Sequence, residues 1–307
     1  MSRVRTRAAN LIAVCGVVLS LFFSFPMAHA AGAARLGVGS ISFEPESETR
    51  KFQPFARYLA TELKSYGIDH VQVVVAANIK EMATLVKNGT VDIFIDSPFP
   101  TLAVQRLTGS RPVMSRWKKG VSEYQSWFFT REESGNHRLR DLEGQVIVLE
   151  YPWSTTGYFV PKMMLAKAGL KLVPRTENYG RVGPGEVGYV FGWEDVNVMC
   201  WIGRGKAAAG ATDNLTYAEK VDEYGDRFRI IESSDLLPRH IVSFRNGLPA
   251  VVLDRIQQIL LQMEYSTAGR ETLEKFEKTK KFEALTRADN EALSPLRQFL
   301  DGELGSR

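Results

Sequence analysis

The chain has 307 residues, of which 44% are hydrophobic and 24% charged, a composition typical of a globular protein with one large domain or two of ordinary size. Its formal charge is +4, from 39 basic and 35 acidic side chains. Three arginines lie in the first thirty residues, which hold no acidic residue, so the remainder carries 36 basic against 35 acidic side chains. The sequence pI near 9.0 therefore does not indicate nucleic-acid binding, and no nucleic-acid partner is expected.

The N-terminus has the layout of a secretory signal peptide. Three arginines precede a continuous apolar run over residues 11–25, and residues 28–30 are Ala-His-Ala. This pattern predicts cleavage after Ala30 and export to the periplasm. The alternative is an uncleaved membrane anchor, but an apolar run of about fifteen residues is short for a membrane span.

The rest of the chain begins with alternating strand and helix patterns. Strands are predicted over 35–41, 71–75 and 91–95, and amphipathic helices over 51–66 and 80–87. Residues 96–100, Asp-Ser-Pro-Phe-Pro, interrupt the pattern after the third strand. This β-α-β-α-β order predicts a mostly parallel sheet with helices on its faces.

A second α/β cycle follows, and the chain then returns to the first. In this second cycle, strands are predicted over 124–130, 146–149 and 207–211. Helices are predicted before Gly169, where the first one ends, and over 194–202. The last predicted segments are strands over 229–231 and 241–244 and helices over 251–263 and 270–280. This order predicts a first α/β lobe, a second lobe, and a return to the first.

Several motifs of enzyme chemistry are absent. Residues 183–188 match G-x-G-x-x-G, but they contain a proline and do not connect a strand to a helix, so we predict a loop and no nucleotide cofactor. The four histidines, at positions 29, 70, 137 and 240, lack metal-ligand spacing, so no metal site is expected. Ser154 lacks the flanking glycines of a nucleophile elbow. Because catalytic triads are defined by geometry, a serine hydrolase stays open as an alternative.

Three consecutive hydroxyl side chains, Ser154, Thr155 and Thr156, precede Gly157 at the predicted start of a helix. N-capping requires one hydroxyl, which Ser154 can supply. The other two hydroxyls, the first-turn N–H groups and the helix dipole together would suit a tetrahedral oxyanion. Gly157 would keep the backbone accessible to that anion. The residues alone leave both interpretations open, a helix cap or an anion-binding site.

Residues 122–165, SEYQSWFFTREESGNHRLRDLEGQVIVLEYPWSTTGYFVPKMML, resemble the periplasmic phosphate/phosphite/phosphonate substrate-binding proteins of ABC transporters. The shared motifs in this stretch are a Y-x-S strand, an Asp-Leu dipeptide before a glycine, and S-T-x-G-Y-x-x-P. Further matches are residues 88–92 (NGTVD), Gly205-Lys206 and Leu237-Pro238. Together the motifs follow the family's order over nearly all of residues 35–280.

The resemblance implies a two-lobed type II periplasmic binding protein of the α/β class. Each lobe would be a mostly parallel sheet flanked by helices, with the ligand in the interlobe cleft and closure by a hinge motion. The lobe limits that we assign are 31–129 plus 238–307 for the first lobe and 130–237 for the second, after a signal peptide over 1–30. The resemblance also implies that the hydroxyl triplet binds the oxyanion and that Tyr124 contacts the ligand.

The part of the site that would hold the ligand's tail departs from the family. Ile79 occupies the place of a tyrosine of phosphonate-binding members, and Asp195 that of a histidine. The family's acidic positions fall near Asp213 and His240. Asp195, Asp213 and His240 are therefore candidate ligand contacts, but an aminoalkylphosphonate is not the expected ligand.

Ser97 and Asp96 are candidate ligand contacts from the first lobe. Both residues directly follow the predicted strand over 91–95. Ligands of open α/β sheets bind at the carboxyl ends of the strands, where these two residues are expected to lie. An ordinary turn is the alternative explanation for the same residues.

The sequence therefore predicts a secreted solute-binding protein, not an enzyme. We expect a monomer that captures a small phosphate-, phosphite- or phosphonate-like oxyanion and delivers it to an ABC permease. One alternative keeps the fold but gives the protein a sensory role, in which it presents its ligand to a membrane signalling partner. The other alternative is a periplasmic hydrolase that uses Ser154 as its nucleophile.

Overall fold

A computed structural model describes residues 35–177, 180, 182–224 and 227–305. The predicted signal peptide, residues 1–30, lies outside this range and stays a prediction. The strands are Arg35–Ile41 (β1), His70–Ala76 (β2), Ile93–Asp96 (β3), Arg111–Arg116 (β4), Glu123–Tyr124 (β5), Ser126–Arg131 (β6), Val146–Leu149 (β7), Lys171–Pro174 (β8), Glu186–Phe191 (β9), Ala209–Asp213 (β10), Phe228–Ser233 (β11), Leu237–Pro238 (β12), His240–Phe244 (β13) and Phe282–Ala284 (β14). The α-helices are Pro45–Leu63 (α1), Ile79–Lys87 (α2), Pro98–Thr108 (α3), Val160–Lys167 (α4), Asp195–Gly203 (α5), Asn214–Lys220 (α6), Ala250–Gln262 (α7), Thr267–Lys275 (α8) and Arg287–Gly305 (α9).

The strands form two six-stranded sheets and one short two-stranded ribbon. The first sheet has the order β14-β4-β13-β3-β1-β2, and the second has the order β11-β6-β10-β7-β9-β8. In the first sheet β2, β1 and β3 are parallel, and in the second β8, β9, β7 and β10 are parallel. The remaining strands of each sheet pair antiparallel. The predicted two-lobed α/β class is confirmed.

The chain crosses between the sheets at β5 and again at β12, and these two strands pair with each other. The strand predicted over 124–130 is divided at Gln125, because β5 pairs with β12 whereas β6 pairs with β10 and β11. The lobe limits 31–129, 130–237 and 238–307 stay a prediction. The pairing of β6 with the second sheet argues for a first boundary near Gln125 instead of residue 129.

The predicted helix over 51–66 corresponds to α1, which buries Phe52, Phe55, Leu59 and Leu63 at helical spacing. Helices α3 and α9 were not predicted from the sequence. Helix α3 begins Pro-Phe-Pro, and proline is compatible with a first helical turn, where its missing N–H needs no partner. Helix α9 contacts both α3 and α4, so its leucines join the largest core, which also contains side chains of both lobes.

Two other segments differ from their sequence patterns for local reasons. The helix predicted over 270–280 ends at Lys275, because Glu277 and Lys278 adopt positive φ angles of 54° and 51°. Residues 183–185 form a turn that leads into β9, so no helix follows the G-x-G-x-x-G match directly. Within the described ranges, no helix combines the length and apolarity that crossing a membrane would require.

Candidate functional site

A cavity of about 350 Å³ lies between the two sheets and is lined by residues at the carboxyl ends of β1, β3, β7 and β10. This is the edge at which ligands bind in open α/β sheets. The predicted site residues that line the cavity are Asp96, Ser97, Tyr124, Ser154, Thr155, Thr156, Asp195, Asp213 and His240. Gly157 does not line it. The structure thus brings nine of the ten predicted residues to one cavity, while their contact with a ligand stays a prediction.

Ser154 is the N-cap of the helical segment that it precedes. Its Oγ accepts a hydrogen bond from the N–H of Gly157 at 2.9 Å and donates one to Glu150 Oε2 at 2.7 Å. Residues 155–159 form a π-helical turn that continues into α4. The capping interpretation is therefore confirmed for Ser154, and its hydroxyl already has both a donor and an acceptor inside the protein.

Thr155 connects the second lobe to the first turn of α3 in the first lobe. Its Oγ1 accepts a hydrogen bond from the N–H of Phe99 at 2.9 Å and donates one to Ser97 Oγ at 2.9 Å. Ser97 Oγ in turn donates to Asp96 Oδ1 at 3.2 Å. The Thr155 residue is only 1% exposed. Its hydroxyl therefore stabilises the contact between the lobes and is not free for a ligand in this arrangement.

Thr156 is the member of the triplet whose hydroxyl remains available. Its carbonyl oxygen accepts a hydrogen bond from Ser126 Oγ at 2.6 Å, but its hydroxyl makes none with any residue that the structure describes. The backbone N–H groups at the start of a helix also lack intrahelical partners. The anion-binding capacity of the triplet, as arranged here, is thus the Thr156 hydroxyl together with first-turn amides.

The explanation of Gly157 as an accessible backbone position is wrong. A Cβ built on this residue would lie 2.2 Å from Cδ and 2.4 Å from Cγ of Glu150. Glycine is required because the Glu150 side chain packs directly against the backbone at this point. The close approach places a carboxyl group of the protein itself beside the start of the helix.

Glu150 was not among the predicted site residues, although it follows the buried strand β7 at the carboxyl edge of the sheet. It is 6% exposed and accepts 2.7 Å hydrogen bonds from Ser154 Oγ and Thr212 Oγ1. Burial raises the pKa of Glu150 to about 7, an effect that these two hydrogen bonds partly oppose. Burial likewise raises the pKa of Asp96 to about 7. The cavity wall therefore contains two carboxyl groups that change charge near neutral pH.

The acidic candidates for the ligand's tail are already engaged within the second lobe. Asp213 caps α6 by accepting hydrogen bonds from the N–H groups of Leu215 and Thr216, and its Oδ2 accepts one from Thr216 Oγ1 at 2.8 Å. Asp195 pairs with Lys220 at 3.4 Å. Both residues line the cavity, but a ligand would have to share their carboxylates with these partners.

His240 lies near a position at which the resemblance implies an acidic residue, but its side chain carries no negative charge. Burial and the charges of Lys118, Arg116 and Arg239 hold the pKa of His240 well below its usual value. Its ring is therefore neutral at physiological pH, and its buried Nδ1 has no hydrogen-bond partner among the described residues. The wall of the cavity on the side of the first sheet therefore presents an uncharged imidazole close to Lys118 and Arg239.

An aromatic cluster spans the cleft at the edge of the cavity. Phe43, which follows β1, lies with its ring centroid 5.9 Å from that of Tyr151, 6.4 Å from that of Trp153 and 6.3 Å from that of Trp193. Phe43 belongs to the first lobe and its three partners follow strands of the second. Phe43 and Trp193 remain 42% and 47% exposed. This aromatic cluster is a further contact between the lobes, separate from that of Thr155.

Replacing Thr155 with valine should destabilise the protein by about 1–3 kcal/mol, because the buried N–H of Phe99 would lose its acceptor while the shape of the side chain is preserved. Denaturant unfolding of the ligand-free protein measures this change. Thr155→Ser keeps the hydroxyl and is the matched control. Equal midpoints for wild type and Thr155→Val would show that this interlobe hydrogen bond does not contribute to stability.

No group of three or more His, Cys, Asp or Glu side chains in the described ranges is placed to hold a metal ion.

The sequence model of the family described as "ABC transporter, phosphonate, periplasmic substrate-binding protein" matches residues 38–290. A search of curated protein sequences finds no match.

Solved structures with the same fold cover most of the chain. XAC2383 from Xanthomonas citri, bound to chloride ion, is 22% identical, with a TM-score of 0.84 over 89% of this chain and 99% of that one. PhnD1 from Prochlorococcus marinus, in complex with methylphosphonate, is 14% identical, with a TM-score of 0.66 over 88% and 99%. The periplasmic aliphatic sulphonate binding protein SsuA from Escherichia coli is 13% identical, with a TM-score of 0.55 over 88% and 93%. At these identities the structures establish the fold alone.

Proposed function

Because this chain belongs to the family of periplasmic substrate-binding proteins of phosphonate ABC transporters, we propose that its interlobe cavity captures a small phosphate-, phosphite- or phosphonate-like oxyanion. Members of this family are binding proteins, not enzymes, and their partner is an ABC permease. Closure of the lobes about the β5–β12 crossover would enclose the ligand and create the surface that the permease recognises.

The observation that carries this proposal is the convergence of the predicted residues on one cavity of suitable size. Nine of them, contributed by both lobes, line a space of about 350 Å³. That volume lies at the small end of the range for ligand cavities, which is roughly 300–1,000 Å³. Methylphosphonate, the ligand named for PhnD1, and the aliphatic sulphonates named for SsuA share a tetrahedral group with three terminal oxygens. A tetrahedral oxyanion with a short substituent is therefore the ligand class that we favour.

A thermal-shift screen tests this function. We expect the unfolding temperature to rise with at least one of phosphate, phosphite, methylphosphonate, sulfate and methanesulfonate, but not with acetate. A ligand at 100 times its dissociation constant stabilises the folded state by about 2.7 kcal/mol, which is readily detected. If none of the tetrahedral anions shifts the transition at millimolar concentration, the proposed ligand class is wrong.

A further inference from the structure

We propose that Arg239 is the residue that supplies the positive charge for oxyanion binding in this cavity. The inference rests on the proposed function and names the charged group on which it depends. Arg239 lies between β12 and β13, where the chain crosses back from the second lobe to the first, and it lines the cavity. The hydroxyl triplet carries no charge, so a positively charged partner for the anion has to come from elsewhere in the cavity.

The guanidinium group of Arg239 is buried and has no polar partner in the described part of the chain. The residue is 7% exposed, its Nε makes no hydrogen bond, and its side chain forms no ion pair with any residue that the structure describes. Its central carbon lies 4.3 Å from the centroid of the Tyr124 ring, so the position of the group is fixed by stacking. A buried cation without a counter-charge is energetically unfavourable, and an anionic ligand would relieve that cost.

The three lysines that line the cavity are each paired with a carboxylate. Lys118 lies 3.0 Å from Glu277, Lys119 lies 3.0 Å from Glu219, and Lys51 lies 3.2 Å from Glu48. The buried carboxyl groups of the cavity, Asp96 and Glu150, accept hydrogen bonds from backbone amides and hydroxyls instead of from Arg239. Among the described residues of the wall, Arg239 is thus the cation that remains for a ligand.

The chemistry of a guanidinium group also matches the proposed ligand class. Its planar set of N–H donors can form two parallel hydrogen bonds to two oxygens of a phosphate, phosphonate or sulfonate group. Thr156, whose hydroxyl has no hydrogen-bond partner among the described residues, lines the same cavity from the second lobe. An oxyanion that contacts both residues would connect the crossover to the second lobe, so that binding and closure would be coupled.

The test compares Arg239→Gln with Lys119→Gln, a matched control that removes one positive charge from the same cavity wall at a paired residue. Affinities for phosphate, phosphite, methylphosphonate, sulfate and methanesulfonate are measured by calorimetry for both variants and the wild type. We expect Arg239→Gln to bind at least tenfold more weakly and Lys119→Gln to stay within about threefold of wild type. Affinity of Arg239→Gln within threefold of wild type would overturn the inference, while the proposed function would survive.

A second measurement does not depend on whether Arg239→Gln folds. The side-chain Nε–H resonance of Arg239 in the wild-type protein, assigned by its loss in Arg239→Lys, should shift when methylphosphonate or another bound anion of this set is added. A resonance that does not move at saturation would contradict contact with the anion. If the wild-type protein binds none of the five anions, the proposed function and this inference fail together.

Discussion

Gly157→Ala should lower the stability of the protein by about 3 kcal/mol, the upper part of the range for overpacking a buried site. The reason is that the new Cβ would lie 2.2 Å from Glu150 Cδ, and Glu150 is held by hydrogen bonds to Ser154 and Thr212. For a domain of this size the expected fall in unfolding temperature is about 6–12 °C. Thermal and denaturant unfolding of the ligand-free protein measure the effect.

A double-mutant cycle identifies the cause of that loss. When Glu150 is first replaced with alanine, the space beside residue 157 opens, so the additional change Gly157→Ala should then cost less than about 1 kcal/mol. Gly302→Ala in α9 is the control, because a Cβ there meets nothing within 4 Å. A Gly157→Ala effect that is equally large with and without Glu150 would show that the close contact is not its origin.

Glu150→Gln should increase the affinity for an oxyanion about thirtyfold at pH 8.5 and leave it nearly unchanged at pH 5.5. Burial raises the pKa of Glu150 to about 7, so the wild-type carboxyl group is neutral at the lower pH and repels an anion at the higher one. Two like charges about 8 Å apart at an effective dielectric constant of about 20 repel by on the order of 2 kcal/mol. The ratio of the two proteins' affinities at each pH is the quantity to measure, because titration of the ligand cancels in it.

Glu150→Gln should also change how the stability of the folded protein depends on pH. The folded-state pKa of Glu150 is raised from 4.5 to about 7, so wild-type stability falls as pH rises from about 4.5 to 7 and then levels off. Glu150→Gln should remove this part of the pH dependence.

An affinity that falls in Glu150→Gln at pH 8.5 would contradict repulsion and would indicate that the carboxylate binds a cationic part of the ligand.

Secondary structure was predictable where apolar residues follow a regular period. The four large buried side chains of α1, those of Phe52, Phe55, Leu59 and Leu63, lie at helical spacing, and the two-lobed order followed from the alternation of strands and helices. The end of α8 was not predictable, because Glu277 leaves the helical conformation where its carboxylate pairs with Arg116 and Lys118. Those partners are more than 150 residues away in the sequence, so no local pattern contains the stop signal.

The candidate site was predictable as a set of positions but not as a set of interactions. The hydroxyl triplet was recognisable because it precedes a helix, yet the partners of Thr155 are fixed by how the lobes pack. The role of Glu150 depends on its approach to Gly157, which only the folded backbone reveals. Arg239 directly follows the Leu-Pro motif, but its lack of a carboxylate partner among the described residues depends on where the other side chains of the cavity wall pair.

The aromatic cluster around Phe43 should also report closure of the lobes through intrinsic tryptophan fluorescence. Trp153 and Trp193 are two of the chain's five tryptophans, and both contact a phenylalanine that belongs to the opposite lobe. Any change in the separation of the lobes therefore changes the polarity and the collisional environment of two indole rings. Their fluorescence emission should follow ligand capture in the unlabelled protein on the time scale of the lobe motion itself.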